Sequence, residues 1–219
     1  MPRFATLAAA MMLGSLAGSA VAQEPGHDPF VFVSDVDENG SRVNSINFAW
    51  YLLPMTIRAT GTSVAGVPIA TINSFREHQM EARPAITVER WCFANVLSER
   101  SYTSVSRVVQ ANIEQSFHDN PDHHFQLRGR FTGQSELLAL VGHYEECSGE
   151  RGSFIALLDT SASPTRIVFV DGLPLVSGFQ YMRLVDGAIT VSTCFECGDV
   201  TGLFYDSRRR RFYWEALGD

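Results

Sequence analysis

The sequence predicts an α+β fold: a single globular unit with one clear amphipathic helix and a mainly antiparallel β-sheet in its C-terminal half. Three observations carry this expectation. Tyr102, Val105, Val109, Ile113 and Phe117 recur at steps of three and four, the period of a helix with one apolar face. From Phe125 onward, short apolar runs alternate with turn-forming residues, the pattern of strands joined by hairpins. Four cysteines follow an export leader, and an even count in an exported chain points to two disulfides.

The leader comes first. Arg3 supplies positive charge, Phe4 to Ala17 is apolar and uncharged, and Ser19-Ala20-Val21-Ala22 fits the small-x-small cleavage pattern, with Gln23 after the cut. The apolar run falls short of the ~20 residues that cross a bilayer, so residues 1–22 read as a cleavable signal peptide and not as an anchor. No other stretch is apolar for long enough to span, and the mature chain is expected in the periplasm or the medium. It divides into a mixed α/β N-terminal half, residues 23–122, and a β-rich C-terminal half, residues 123–219. The two halves are expected to share one domain.

Residues 23–29 read as an extended lead-in. Phe30 to Val33 is a short apolar strand stopped by the turn-rich Asp37-Glu-Asn-Gly40. Ile46 to Ile57 is apolar but interrupted by Pro54, which leaves helix and strand both open. Ile72 to Glu81 is expected as a short helix closed by the Arg83-Pro84 step, and Ala85 to Val96 as a strand. The clear helix follows, capped by Ser101 or Thr103 and ending near His118. Strands are then expected at Phe125–Phe131, Leu137–Tyr144, Phe154–Leu158, Ile167–Val170, Phe179–Val185, Ile189–Cys194, Leu203–Tyr205 and Phe212–Trp214. Phe154–Leu158 and Ile167–Val170 are apolar on both faces, as central strands are. At an offset of 47 residues Cys147 aligns with Cys194 and Asp159 with Asp206, which suggests two hairpin units of one curved sheet.

Composition excludes several chemistries. All 17 basic side chains counted as Lys plus Arg are arginine. Without lysine there is no Schiff base, no lysine general base and no phosphate-binding P-loop. Hydrophobic residues make up 45% of the chain and aromatics 11%, enough for a packed core. The formal net charge is −7, which disfavours general nucleic-acid binding. There is no Gly-x-Ser-x-Gly elbow and no dinucleotide fingerprint, and no cofactor is expected.

Four groups of residues are candidates for function. Cys92, Cys147, Cys194 and Cys197 allow three disulfide pairings: Cys194 with Cys197 and Cys92 with Cys147, or each of Cys194 and Cys197 reaching back to one of the others. The Cys194-Phe-Glu-Cys197 spacing also permits a thiol–disulfide site. However, it follows a strand, precedes turn residues rather than a helix start, and carries Glu196, which opposes thiolate formation. A cysteine nucleophile is disfavoured: His143 and Cys147 lie about 13 Å apart along an extended strand. His118, His123 and His124, with Asp119 and Asp122, gather potential ligands that His143 reaches if the following strands pair. Zinc or copper is the metal imidazoles favour, though no standard ligand spacing is matched and a solvated turn is the plainer reading. Finally, Arg208, Arg209, Arg210 and Arg211 fall at the expected tip of a hairpin. Four guanidinium groups there offer a local surface for lipid head groups, acidic glycans or an acidic protein, though a merely solvated turn is the plainer reading.

His143-Tyr-Glu-Glu-Cys147-Ser-Gly149, with the strand Phe154–Leu158 after it, resembles the inhibitory segment of Ivy-type bacterial lysozyme inhibitors. In that family a cysteine-closed loop carrying a histidine plugs the lysozyme active site. Gly142 stands here where the opening cysteine would be, and Cys194-Phe-Glu-Cys197-Gly198 has both cysteines but no histidine. The resemblance implies a periplasmic inhibitor or binding role.

The sequence therefore points to an exported, soluble, non-catalytic binding or inhibitor-type protein. Its partner is an unidentified protein or an anionic cell-envelope ligand. The rivals are a periplasmic metal-dependent hydrolase built on the histidines and a CxxC thiol–disulfide protein. Export predicts that mass spectrometry of the secreted product finds Gln23 at the N-terminus; a product that keeps residues 1–22 contradicts it.

Overall fold

Apolar runs bounded by turn residues pair with near neighbours in sequence, and the strand pairs are antiparallel. The computed structural model describes residues 33–36, 42–45, 58–80, 90–102, 107–173, 179–193 and 201–217. Strands β1 (Val33–Val36) and β2 (Arg42–Ser45) form a hairpin within residues 1–46. Residues 47–219 form a second unit. It opens with the small hairpin β3 (Ser63–Val64) and β4 (Val67–Pro68), whose turn holds Ala65 and Gly66 at positive φ. Helix α1 (Ile69–Met80), strand β5 (Trp91–Val96), a 3-10 turn at Glu99–Tyr102 and helix α2 (Arg107–Asp119) follow. The rest is β6 (Gln126–Gly129), β7 (Leu137–Glu146), β8 (Arg151–Asp159), β9 (Arg166–Leu173), β10 (Tyr181–Val185), β11 (Ala188–Ser192), β12 (Thr201–Asp206) and β13 (Arg211–Ala216).

These strands make two larger sheets where the sequence suggested one. In the first, β7 pairs along one edge with β6 over its first half and β5 over its second half; β8 lies on its other edge, and β9 lies outside β8. The second sheet is the meander β10-β11-β12-β13. The antiparallel β-sheet is not confined to the C-terminal half, because β5 belongs to the first sheet. The described residues hold two α-helices: α1 starts three residues before the expected Ile72, and the Ile69 N–H donates to the Thr62 carbonyl at 3.0 Å. The apolar stretch Ile46–Ile57 and most of the expected strand Phe30–Val33 lie outside the described residues.

The offset of 47 residues has a structural counterpart. β7-β8-β9 and β11-β12-β13 are each three-stranded meanders, and their middle strands end at Asp159 and Asp206. Each aspartate turns back on the chain in the same way. Asp159 Oδ1 accepts the Ser161 N–H at 3.1 Å, and Asp206 Oδ1 accepts the Arg208 N–H at 2.8 Å. The two copies sit in separate sheets.

Side-chain alternation puts Leu138 and Leu140 of β7 on the same face as Phe154, Ala156 and Leu158 of β8. With Trp91, Ala94, Val64 and Ile72 they form one buried core. Full burial of such side chains contributes about 1.5–3 kcal/mol each. The opposite face carries Leu137, Val141, Ile155 and Leu157, also buried. Gln180, just before β10, donates to the Ser153 hydroxyl and draws the second sheet towards this face.

Strand β5 is attached through side chains as well as its ladder. The Asn73 amide pairs with both backbone groups of Trp91, at 2.9 and 3.0 Å. The Asn95 carboxamide accepts from Gly61 N–H at 2.9 Å and donates to the Arg58 carbonyl at 3.0 Å. A Cys92–Cys147 disulfide then ties β5 to the residue after β7, across a sequence separation of 55. A loop of this size corresponds to about 4 kcal/mol of chain-entropy stabilisation. Of the three pairings the sequence allowed, this bridge belongs to the one that joins Cys194 to Cys197, residues that lie outside the described part.

The sheet also needs glycine at one point. A Cβ on Gly142 would collide with the Asn95 carbonyl and the Phe154 ring. Overpacking of this kind costs about 1–3 kcal/mol. Gly142→Ala is therefore expected to lower the urea midpoint by the equivalent of about 2 kcal/mol; an unchanged midpoint would mean that Phe154 does not pack across this glycine.

Candidate ligand cleft

The four arginines sit where a tight turn forces charge to the surface. β12 and β13 pair from Thr201↔Ala216 to Asp206↔Arg211, so Ser207–Arg210 make the turn and Arg211 opens β13. Asp206 organises the turn: its Oδ1 accepts the N–H groups of Arg208 and Arg209, and its Oδ2 lies 3.6 Å from Arg209 Nε. The backbone hydrogen bond from Arg209 is the main reason that the Asp206 carboxyl is held below its ordinary range. Arg210 closes the turn at φ 52°, in the left-handed region that glycine or asparagine occupies at less cost.

Arg210 and Arg211 stand at the mouth of a cleft of about 720 Å³. β9 forms one wall and the β12–β13 hairpin the other, with Phe75 and Gln79 of α1 between them. Trp214 Nε1–H donates to Asp171 Oδ2 at 2.8 Å, across 43 residues of sequence. Phe212 packs on Phe169 at 5.5 Å between ring centroids and on Tyr205 at 5.0 Å. Arg166, also in the lining, is already bound to Asp159 at 3.1 Å. Arg210 and Arg211 have no ion pair with a carboxylate among the described residues. The cleft thus combines aromatic walls, polar side chains such as Gln134 and Ser135, and two guanidinium groups open to a ligand.

The structure places the sequence candidates as follows. The arginine run is a hairpin tip, and two of its four members reach the cleft. The histidines do not form a centre, and among the described residues no three His, Cys, Asp or Glu side chains converge as a metal site would require. His118 is exposed at the end of α2. His123 is buried, with its ring 4.3 Å from that of Tyr181. His124 is held by its backbone, exchanging two 2.7 Å hydrogen bonds with Met182. His143 is buried in the middle of β7, between Asn95 and Ser153 in register. Of the segment compared with an inhibitory loop, His143–Glu146 is extended strand and Cys147–Gly149 belong to the turn into β8, with the histidine inside the sheet and no room for a cysteine side chain at Gly142. Cys194 and Cys197 lie outside the described residues.

Trp214, Asp171 and Phe169 were missed by the sequence reading. Each sits in an apolar run that reads as an ordinary strand, and only the approach of β9 to β13 makes them neighbours. No family model, curated protein or solved structure matches the chain.

His143 carries a separate consequence. Neither ring nitrogen has a hydrogen-bond partner among the described residues, and burial lowers its pKa from 6.5 to about 4. Between these values the unfolded chain holds the extra proton and the folded chain does not, so acid favours unfolding. Stability is complete above pH 6.5 and falls as the pH drops towards 4, by about 3 kcal/mol for this group. His143→Leu should flatten that slope in urea titrations at pH 7.5 and 4.5; an unchanged slope would assign the acid sensitivity elsewhere.

Proposed function

We propose that this chain is an exported, non-catalytic binding protein that holds an anionic ligand in the cleft through Arg210 and Arg211. The observation that carries this reading is two exposed arginines, Arg210 and Arg211, that line an aromatic-walled cleft and form no ion pair among the described residues, although Arg211 also acts on Asp206 electrostatically. In a chain with net charge −7, such a pair is a local reversal of sign. The planar donor fork of arginine suits carboxylate or phosphate oxygens. The left-handed Arg210 adds support, because arginine holds a position that glycine would fill with less strain.

The absence of catalytic pairing in the cleft favours binding over turnover. Among the described residues its lining contains no histidine or cysteine, and Asp171 is engaged by the Trp214 indole. The Cys92–Cys147 bridge fits an oxidising compartment, in keeping with export to the periplasm or the medium.

Tripolyphosphate, a compact multivalent anion, tests the site without assuming the rest of the ligand. Calorimetry at low salt should detect binding to the wild-type chain and at least tenfold weaker binding to Arg211→Gln and to Arg210→Gly. The Arg210→Gly variant should keep its stability within about 1 kcal/mol, since glycine relieves the left-handed strain. Wild-type affinity in both variants would overturn the proposal.

A further inference from the structure

The cleft takes in the edges of two strands, together with Tyr205 of β12 and Leu137 of β7 from inside the sheets. Successive residues of a strand point to opposite faces. Yet Arg211, Phe212, Tyr213 and Trp214 all line the cleft, and so do Val168 and Phe169 of β9. Consecutive residues of one strand share a cavity when it reaches around that strand's edge. Both strands are terminal in their sheets: β9 pairs with β8, and β13 with β12, and among the described residues neither has another strand partner. What crosses between them is side chain, through the Phe169–Phe212 contact and the Trp214–Asp171 hydrogen bond.

An unpaired edge presents backbone N–H and C=O groups at every second residue, which is the template for strand addition. β13 has six residues, about 20 Å of extended chain, enough to pair with a peptide of similar length. Its first residue is Arg211, and Arg210 precedes it, so positive charge stands at one end of this edge. The aromatic rings are packed on one another, Phe212 on Phe169 and Tyr205, and Tyr213 on Phe204 at 5.9 Å.

We infer that the ligand is an extended acidic peptide that adds as a strand along the edge of β13 that has no strand partner among the described residues, and sets its carboxylates on Arg210 and Arg211. This rests on the anion-binding reading of the cleft and specifies its occupant. Main-chain hydrogen bonds to the edge supply affinity, and the arginines with the aromatic wall select acidic residues near one end of the peptide and apolar ones along it.

The test is selection of the full exported chain against an immobilised library of random decapeptides, followed by a scan of the best binder with one N-methylated amide at a time. Selected peptides should be rich in Asp and Glu, and their affinity should fall at least tenfold in Arg211→Gln. The N-methyl scan should show losses of tenfold or more at alternate amides over about six residues, the signature of strand pairing. A galacturonate oligomer serves as the anionic glycan comparison. If it binds in an Arg211-dependent way and no peptide does, the anion site stands and the peptide assignment fails. Selected peptides indifferent to N-methylation also overturn strand addition. If neither ligand depends on Arg210 or Arg211, both readings fall.

Discussion

The hydrogen bond from the Trp214 indole to the Asp171 carboxylate is the contact on which the cleft depends. It joins the edge strands of two sheets that share no ladder, and it spans 43 residues. A hydrogen bond to a charged group contributes about 1.5–3 kcal/mol, more than most neutral pairs. Phe212, two residues earlier on the same face of β13, lies against Phe169. The arginine turn is positioned by the same strand. Asp206 locks the turn from within, so Arg210 and Arg211 are carried on a short, rigid hairpin rather than on a free loop.

The first sheet gives this wall a firm base. Its β5 edge is held by the Asn73 and Asn95 carboxamides and by the Cys92–Cys147 bridge. Behind them the Arg76 guanidinium lies 4.3 Å from the centre of the Trp91 ring, which stacks on Tyr144 at 4.4 Å. Burial lowers the Arg76 pKa, while Tyr144, Asp171 and Glu146 offset that cost electrostatically. Asp171 thus faces two ways: it accepts the indole at the cleft, and its charge helps to keep a partly buried arginine ionised beneath it. A stabilising network and the candidate site share one carboxylate.

Much of the architecture was legible in the sequence, and the failures have physical causes. Local pairing follows alternation and turns, so the strands from β6 to β13 fall within a few residues of expectation, and the arginine run does form a hairpin tip. The division into two sheets was not legible, because hairpin patterns are the same whether successive meanders join or separate. Nor was the recruitment of β5, which depends on carboxamides 18 and more residues from their partners. The placement of the histidines was not legible either: neighbours in sequence are dispersed by the end of α2 and by burial of His123 and His143. Half of the cleft was readable, as charge; its aromatic wall and Asp171 exist only through tertiary approach.

The most direct measurement is a ¹H–¹⁵N spectrum of the side-chain N–H groups during addition of tripolyphosphate. If the cleft is an anion site held by the Trp214–Asp171 contact, the Arg210 and Arg211 Nε–H signals and the Trp214 indole signal shift together and saturate at one affinity. The buried Trp91 indole stays still, and the exposed Arg90 and Arg128 move little. Equal, unsaturated shifts at all exposed arginines, with Trp214 unmoved, would contradict the account.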